Sequence, residues 1–122
     1  MPVDIGEDLN VAPDAISAAV TDRTRAILPV HYAGLPCRMR EIWRLAGKRE
    51  LKVIEDAAHA VGASYRGSPI GGGPSDAVAF SFYATKNLCM GEGSMVTTPS
   101  LELYERMRIL CLHGISRDAW DR

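Results

Sequence analysis

Two short strand-like runs, separated by an amphipathic helical segment, constrain the fold of this chain more than any other feature. The runs are AILPV at residues 26–30 and LKVI at residues 51–54, and between them Met39, Ile42 and Ala46 recur at three- and four-residue spacing. A strand, a helix and a second strand in this order are typical of a crossover that joins parallel strands. We therefore predict an α/β layer fold.

Weaker patterns extend this fold on both sides of the crossover. They predict a strand at 3–5, a helix at 13–20, a glycine-rich turn at 67–73, and strands at 77–82 and 95–97. A last helix is expected to begin with Thr98 as its cap, to end near His113 and to carry Leu103, Met107 and Leu110 inward. Pro29 cannot donate to a central ladder, so we place it near a strand end or at an irregularity.

Composition and charge argue against several classes of function. The 122 residues suit one modest domain, and the formal net charge of −1 speaks against binding to nucleic acid. No apolar run approaches the length of a membrane span, and the N-terminus lacks the pattern of a secretory signal. The three cysteines are odd in number and widely spaced, which does not suit a disulfide framework or a zinc site. Together these features favour a reducing cytoplasm.

Two predicted strands end in groups with useful chemistry. Asp56 follows the strand at 51–54, and Lys86 follows the strand at 77–82. Ligands of open α/β sheets collect at the carboxyl ends of strands, so an acid and an amine could face one crevice there. A carboxylate can hold a pyridinium nitrogen and an amine can form an imine with an aldehyde, which are the two groups that pyridoxal phosphate requires. Taken singly, each residue is more often structural or solvated.

The combination of motifs is more specific than any one of these residues. VIEDAAHA at residues 53–60 is followed by GA at 62–63 and FSFYATKNL at 80–88. TRAILPVH at 24–31 precedes them and LHGISRDAW at 112–120 follows. In this order, and over nearly the whole chain, these segments resemble the DegT/DnrJ/StrS family of sugar aminotransferases.

The resemblance implies roles for four residues in binding pyridoxal 5'-phosphate. Asp56 would pair with the pyridine nitrogen and keep the ring cationic, while His59 would lie against the ring. Ser81 would donate to the cofactor phosphate. Lys86 would form the Schiff base with the cofactor and would later shuttle protons. A lysine at this position, where a small branch of the family has histidine, implies transamination rather than dehydration.

The resemblance also implies the reaction and the larger fold. An amino acid, with glutamate as the expected donor, would supply an amino group to a keto group of a nucleotide-linked sugar. The expected fold is a three-layer α/β domain with a mainly parallel, mixed sheet and flanking helices, part of the large domain of the aspartate-aminotransferase-like (type I) transferases. Family members are much longer and work as homodimers. We therefore expect residues 1–122 to form a single partial domain, without the family's N-terminal segment and C-terminal domain, that is inactive alone.

Other classes of function fit the sequence less well. A Rossmann-type nucleotide site needs glycines that open a helix, but those at 71–73 and 91–93 lead into strand-like runs. A metal site built from His31, His59 and His113 would match no short ligand motif. The main alternative is a truncated, non-catalytic remnant that only associates with another chain.

Overall fold

A four-stranded sheet with an amphipathic helix on one face forms the centre of the protein. The computed structural model describes residues 1–111. Its helices are α1 (Pro13–Ala19), α2 (Met39–Arg49) and α3 (Leu101–Cys111), and a 3-10 turn covers Tyr32–Gly34. The strands are β1 (Ala26–Ile27), β2 (Lys52–Asp56), β3 (Ser64–Tyr65), β4 (Ser68–Pro69), β5 (Ala77–Ser81) and β6 (Ser94–Thr97).

The order of the strands confirms the predicted α/β class. The main sheet has the order β1-β2-β5-β6, in which β1, β2 and β5 are parallel and β6 is antiparallel to β5. Helix α2 joins β1 to β2 as the predicted crossover. The sheet is therefore mixed and mainly parallel.

Pro29 lies at an irregularity of the first strand, as predicted. Strand β1 ends at Ile27, and pairing with β2 resumes at Val30, which bridges Asp56 in parallel. The amide of Asp56 donates to the Pro29 carbonyl at 2.9 Å, so the proline is used as an acceptor only. The interrupted strand consequently reaches the end of β2, where the candidate site lies.

The main core lies between α2 and the sheet. Met39, Ile42 and Ala46 recur at helical spacing and are all buried, and they cluster with Ile27 and Val53 from the strands. Helix α2 ends at Arg49 and is followed by Glu50, which adopts a left-handed conformation and caps the helix. Burying a side chain such as Ile42 stabilises the fold by about 1.5–3 kcal/mol.

Three sequence predictions of local structure are wrong. The predicted strand at 3–5 reduces to a single bridge between Ile5 and Val11. Ser100, not Thr98, caps α3: its Oγ accepts from the Leu103 amide at 3.2 Å, whereas the Thr98 hydroxyl donates to the Asp76 carbonyl at 2.7 Å.

The third wrong prediction concerns Leu110, on the inward face expected of the last helix. Leu110 is 59% exposed, whereas Leu103 and Met107 are half-buried. No residue of α3 is fully buried, so residues 1–111 cover this face only in part. The predicted helix end near His113 lies outside the described residues.

A small hairpin occupies part of the region in which only a glycine-rich turn was expected. Strands β3 and β4 are antiparallel and are joined by Arg66 and Gly67. Both linking residues have positive φ, 52° and 83°, which a two-residue hairpin turn of type I′ requires. The strands are only two residues long each, too short to give a periodic sequence signal.

An ion pair near the start of β2 predicts acid-sensitive stability. Asp76 accepts from the Val53 amide at 2.9 Å and contacts the Lys52 ammonium at 2.9 Å. Partial burial alone would raise the pKa of Asp76, but the hydrogen bond from Val53 and the charge of Lys52 together lower it. Because folding lowers the pKa of Asp76, the ion pair stabilises the fold fully above the pKa of an unfolded aspartate, about 3.9. This stabilisation is lost as the pH falls through the lower pKa of Asp76 in the folded protein.

We expect Asp76→Asn to lower the free energy of unfolding by about 1 kcal/mol at neutral pH, since the Lys52 side chain is largely exposed. The difference from wild type should shrink as the wild-type carboxylate becomes protonated. Urea unfolding at neutral and at acidic pH measures both values, with the exposed Asp22→Asn as control. A difference that stays constant across this pH range would contradict the prediction.

Candidate functional site

Two of the predicted site residues lie at the same edge of the sheet. Strands β2 and β5 are adjacent and parallel, so Asp56 and Ser81 both lie at carboxyl ends of strands. Asp56 is paired with Ala79, and Ser81 follows two residues later on the same face. The strand spacing and rise put the two Cα atoms roughly 8 Å apart.

The Asp56 side chain emerges from an apolar row of the sheet. Val30, Asp56, Ala79 and Val96 are side-by-side partners across the strands, so all four point to one face. Val30 and Val96 are 43% and 44% exposed, so this face is open. Asp56 Oδ1 accepts from the Ala58 amide at 3.0 Å. Its other oxygen, Oδ2, accepts no hydrogen bond from residues 1–111 and is available to a donor on the open face.

Lys86 lies against the turn that follows Asp56. Its Nζ is 3.0 Å from Nε2 of His59. When the amine is charged it can only donate, which puts the imidazole proton on Nδ1. The side-chain amide of Asn87 donates to the Val61 carbonyl at 2.9 Å. Two neighbouring side chains thus attach residues 83–92, the lysine loop, to residues 57–61.

Backbone hydrogen bonds at the end of β5 position the lysine loop. The Phe82 amide donates to the Gly93 carbonyl at 2.8 Å, and the Phe82 carbonyl accepts from the Met90 amide at 3.0 Å. The Lys86 amide donates to the Tyr83 carbonyl at 2.9 Å. This hydrogen bond closes a turn over residues 83–86, which positions the Lys86 side chain. Among residues 1–111, Ser81 Oγ receives only a long contact from the Tyr83 amide, at 3.4 Å, so its hydroxyl proton is available to a ligand.

The candidate site is an open edge rather than a closed cavity. A cavity of about 550 Å³ is lined by α1, β1 and the chain between them, and another of about 460 Å³ lies around residues 96–104. None of Asp56, His59, Ser81 and Lys86 lines either cavity. The strand ends, where a carboxylate, an imidazole, a hydroxyl and an amine lie at one edge, therefore define the candidate site.

The adjacent acids Glu55 and Asp56 point to opposite faces of the sheet. Asp56 faces the open side, whereas Glu55 is 2% exposed and lies 2.7 Å from Nε2 of the buried His31. The sequence patterns place His31 in the motif at 24–31 and in an unfavoured metal site, but they do not predict its pairing with Glu55. The alternation of side chains along a strand could have indicated the burial of Glu55. Residues two apart share a face, so Glu55 lies on the same inner face as the buried Val53.

Two further observations concern metals and membranes. Among residues 1–111, no group of three or more His, Cys, Asp or Glu side chains is arranged to hold a metal ion. Within the same part of the chain, every helix is too short or too polar to span a bilayer. His113, the third member of the metal alternative, lies outside the described residues.

Comparison with known proteins decides the family. The sequence profile of the DegT/DnrJ/EryC1/StrS aminotransferase family matches residues 1–122. The chain belongs to this family. This membership confirms the resemblance drawn from the motifs.

Relatives of this family member match it closely but are much longer. The uncharacterized protein MJ1066 of Methanocaldococcus jannaschii is 57% identical over 116 residues, 95% of this chain and 30% of the relative. The spore coat polysaccharide biosynthesis protein SpsC of Bacillus subtilis is 52% identical over 120 residues, 98% of this chain and 31% of SpsC. This chain therefore spans about a third of the length of such curated relatives.

A solved structure supports the fold in three dimensions. The S. venezuelae protein DesV, crystallised in complex with a ketimine intermediate, superposes with a TM-score of 0.92 at 45% identity. The match covers 98% of this chain and 32% of DesV. This degree of similarity confirms that the family member has the α/β fold predicted for part of a type I transferase large domain.

Proposed function

We propose that residues 1–122 are the cofactor-binding part of a sugar aminotransferase that uses pyridoxal 5'-phosphate. One observation carries the proposal: the Lys86 amine lies 3.0 Å from His59, in the turn that begins at Asp56. An amine and a carboxylate distant in sequence thus lie at one sheet edge. Family membership over the whole chain supports the same reaction class.

The residues at this edge fit the chemical groups of the cofactor. Asp56 offers an oxygen that is free to accept from a protonated ring nitrogen. Ser81, on the same face about 8 Å away, offers a hydroxyl proton to a phosphate. Ala79 lies between them and is small enough to leave room for a flat ring. When bound, pyridoxal phosphate supplies an electron sink for the bonds made and broken at the substrate carbon.

Each side chain then has a distinct task. Asp56 would hold a proton on the ring nitrogen through an ion pair, because a nearby negative charge favours the protonated form. Lys86 would hold the cofactor through Nζ and, once free, would move protons at the substrate carbon. His59 would lie against the ring, and its contact with the Lys86 amine would orient that amine before attachment. Ser81 would help to fix the phosphate.

Substrates and assembly are proposed from the family as a whole. We propose an amino-acid donor, with glutamate favoured, and a nucleotide-linked keto sugar as acceptor. The name of SpsC, which refers to polysaccharide biosynthesis, supports a sugar acceptor. We further propose a cytoplasmic homodimer in which residues 1–122 form one partial domain of each subunit.

The 122-residue chain alone is proposed to bind the cofactor weakly and not to complete the reaction. The open sheet face and the partly covered α3 leave apolar side chains exposed, among them Leu101 at 70%. These surfaces are expected where further parts of a transferase domain would pack. The competing proposal, a non-catalytic remnant that only associates with another chain, is favoured by the same surfaces.

Covalent trapping separates the two proposals. The chain has three lysines, Lys48, Lys52 and Lys86, and the first two lie away from the site. With excess pyridoxal phosphate and borohydride, we expect the reduced adduct mainly on Lys86, detected by peptide mass mapping. Equal labelling of the three lysines would contradict the proposed site. A tight, stoichiometric adduct would instead contradict the expectation that the isolated chain binds weakly.

A further inference from the structure

A buried pair of polar side chains lies beneath the candidate site and has no part in the proposed chemistry. His31 and Glu55 are 1% and 2% exposed, and Nε2 of the histidine lies 2.7 Å from Oε2 of the glutamate. Two such groups are costly to bury unless their hydrogen bonds are satisfied. No side-chain nitrogen or oxygen buried in the described part of the chain lacks a partner.

The hydrogen bonds around His31 fix the position of its proton. Nδ1 accepts from the amide of Cys37 at 3.1 Å, so it carries no proton. Nε2 therefore carries the proton and donates it to Glu55. In this arrangement the ring joins two segments, the end of β2 and the chain at Cys37.

The neighbouring cysteine is held in the same network. Burial, with the charges of Asp8 and Glu55, raises the pKa of Cys37 to about 11. Its thiol therefore stays protonated and donates to the Val30 carbonyl at 3.1 Å. Because the side chains of His31, Glu55 and Cys37 are all buried, the network suits a fixed support better than a proton carrier.

The supported segment touches the candidate site through a glycine. Residues 32–34 form the 3-10 turn between His31 and Cys37, and Gly34 has a φ of +84°. A Cβ at Gly34 would lie 2.8 Å from the carbonyl oxygen of His59. The turn therefore lies directly against the backbone that carries the His59 ring.

Resting on the proposed function, we propose that the buried His31–Glu55 pair is a positioning device for Lys86. The pair holds the 32–37 segment against His59, and the His59 ring in turn holds the lysine amine at 3.0 Å. The backbone adds a second connection, because the His31 amide donates to the Asp56 carbonyl at 3.0 Å. His31 and Glu55 are thus positioning residues, since neither touches the proposed cofactor groups directly.

The intrinsic reactivity of the Lys86 amine reports this support without any cofactor. An amine engaged in a hydrogen bond reacts more slowly with an acylating reagent than a free one. In the full 122-residue chain, limited acetylation with acetic anhydride, read by peptide mass, gives the ratio of Lys86 to Lys48 labelling. We expect His59→Ala to raise this ratio about two- to threefold. This factor corresponds to the weaker end of the range for one hydrogen bond, because the contact is exposed.

A double-mutant cycle tests whether Glu55 acts through His59. We expect Glu55→Ala to give the same rise as His59→Ala, and the double variant to give no further rise. Glu55→Gln is the matched control, because its side-chain oxygen still accepts from His31, and its ratio should stay at the wild-type value. The ratio of Lys52 to Lys48 labelling and the circular dichroism spectrum report the fold.

Each outcome bears on the proposal. A wild-type ratio in Glu55→Ala or in His59→Ala, or effects that multiply in the double variant, would overturn it. If Glu55→Ala loses its folded spectrum, Gly34→Ala replaces it: the added methyl displaces the His59 backbone while the buried pair stays intact, and an unchanged ratio would again overturn the proposal. Acetylation needs no cofactor, so failed trapping of pyridoxal phosphate at Lys86 with an intact cycle would reject the proposed function alone.

Discussion

Replacing Lys86 with alanine, in a full-length family protein that contains residues 1–122, is expected to abolish covalent cofactor attachment and to lower the transamination rate about 10²- to 10⁴-fold. The reason is that one amine performs both the attachment and the proton transfer, and a positioned acid–base group alone contributes a factor of this size. The absorbance of the bound cofactor and the rate of keto-acid production measure the two effects.

Lys48→Ala is the matched control for this substitution. Lys48 is exposed in the last turn of α2, so its removal should change the rate by no more than about twofold. Turnover that survives in Lys86→Ala would remove Lys86 from its proposed role. Equal losses in both variants would indicate a general effect on folding.

Asp56→Asn is the second substitution with a large expected effect. The asparagine oxygen can still accept from the Ala58 amide, so the turn should keep its structure. The negative charge is lost, however. A carboxylate beside a protonated, cationic group raises the pKa of that group by about one to three units, so its loss lowers the pKa of the ring nitrogen. We expect the protonated fraction of the ring, and with it the rate, to fall about ten- to a thousandfold.

A permanently charged cofactor separates this electrostatic role from a structural one. N-methylated pyridoxal phosphate carries its positive charge without a proton, so it does not depend on Asp56 to stay cationic. The difference in transamination rate between Asp56→Asn and the wild type should therefore be smaller with this analogue than with pyridoxal phosphate. A gap of unchanged size would mean that Asp56 acts through the fold, and Asp22→Asn serves as the exposed control.

Strong periodic patterns made the central part of the fold predictable. Met39, Ile42 and Ala46 recur at helical spacing and are buried together, so α2 and the two strands that it joins follow directly from the sequence. The segment at 3–5 has suitable residues for a strand, but in the described part of the chain it has only one bridging partner, at Val11. A strand requires neighbours across the sheet, and a local pattern does not supply that information.

The site was predictable in its residues but not in its contacts. The motifs named Asp56, His59, Ser81 and Lys86, and the strand ends bring Asp56 and Ser81 to one edge. The contact between Lys86 and His59 depends on the conformation of residues 83–92. Hydrogen bonds of the Phe82 backbone with Met90 and Gly93 set this conformation, and backbone hydrogen bonds leave no pattern in the sequence. The buried partnership of His31 and Glu55 spans 24 positions and was missed for the same reason.

A crystal structure of a full-length family protein that contains residues 1–122, with pyridoxal phosphate bound, tests the central claim most directly. We predict that the ring nitrogen lies about 2.8 Å from an Asp56 oxygen while the Lys86 amine is joined to the aldehyde carbon of the same ring. A cofactor that contacts only one of these two side chains, or a ring that binds elsewhere on the protein, would contradict the claim.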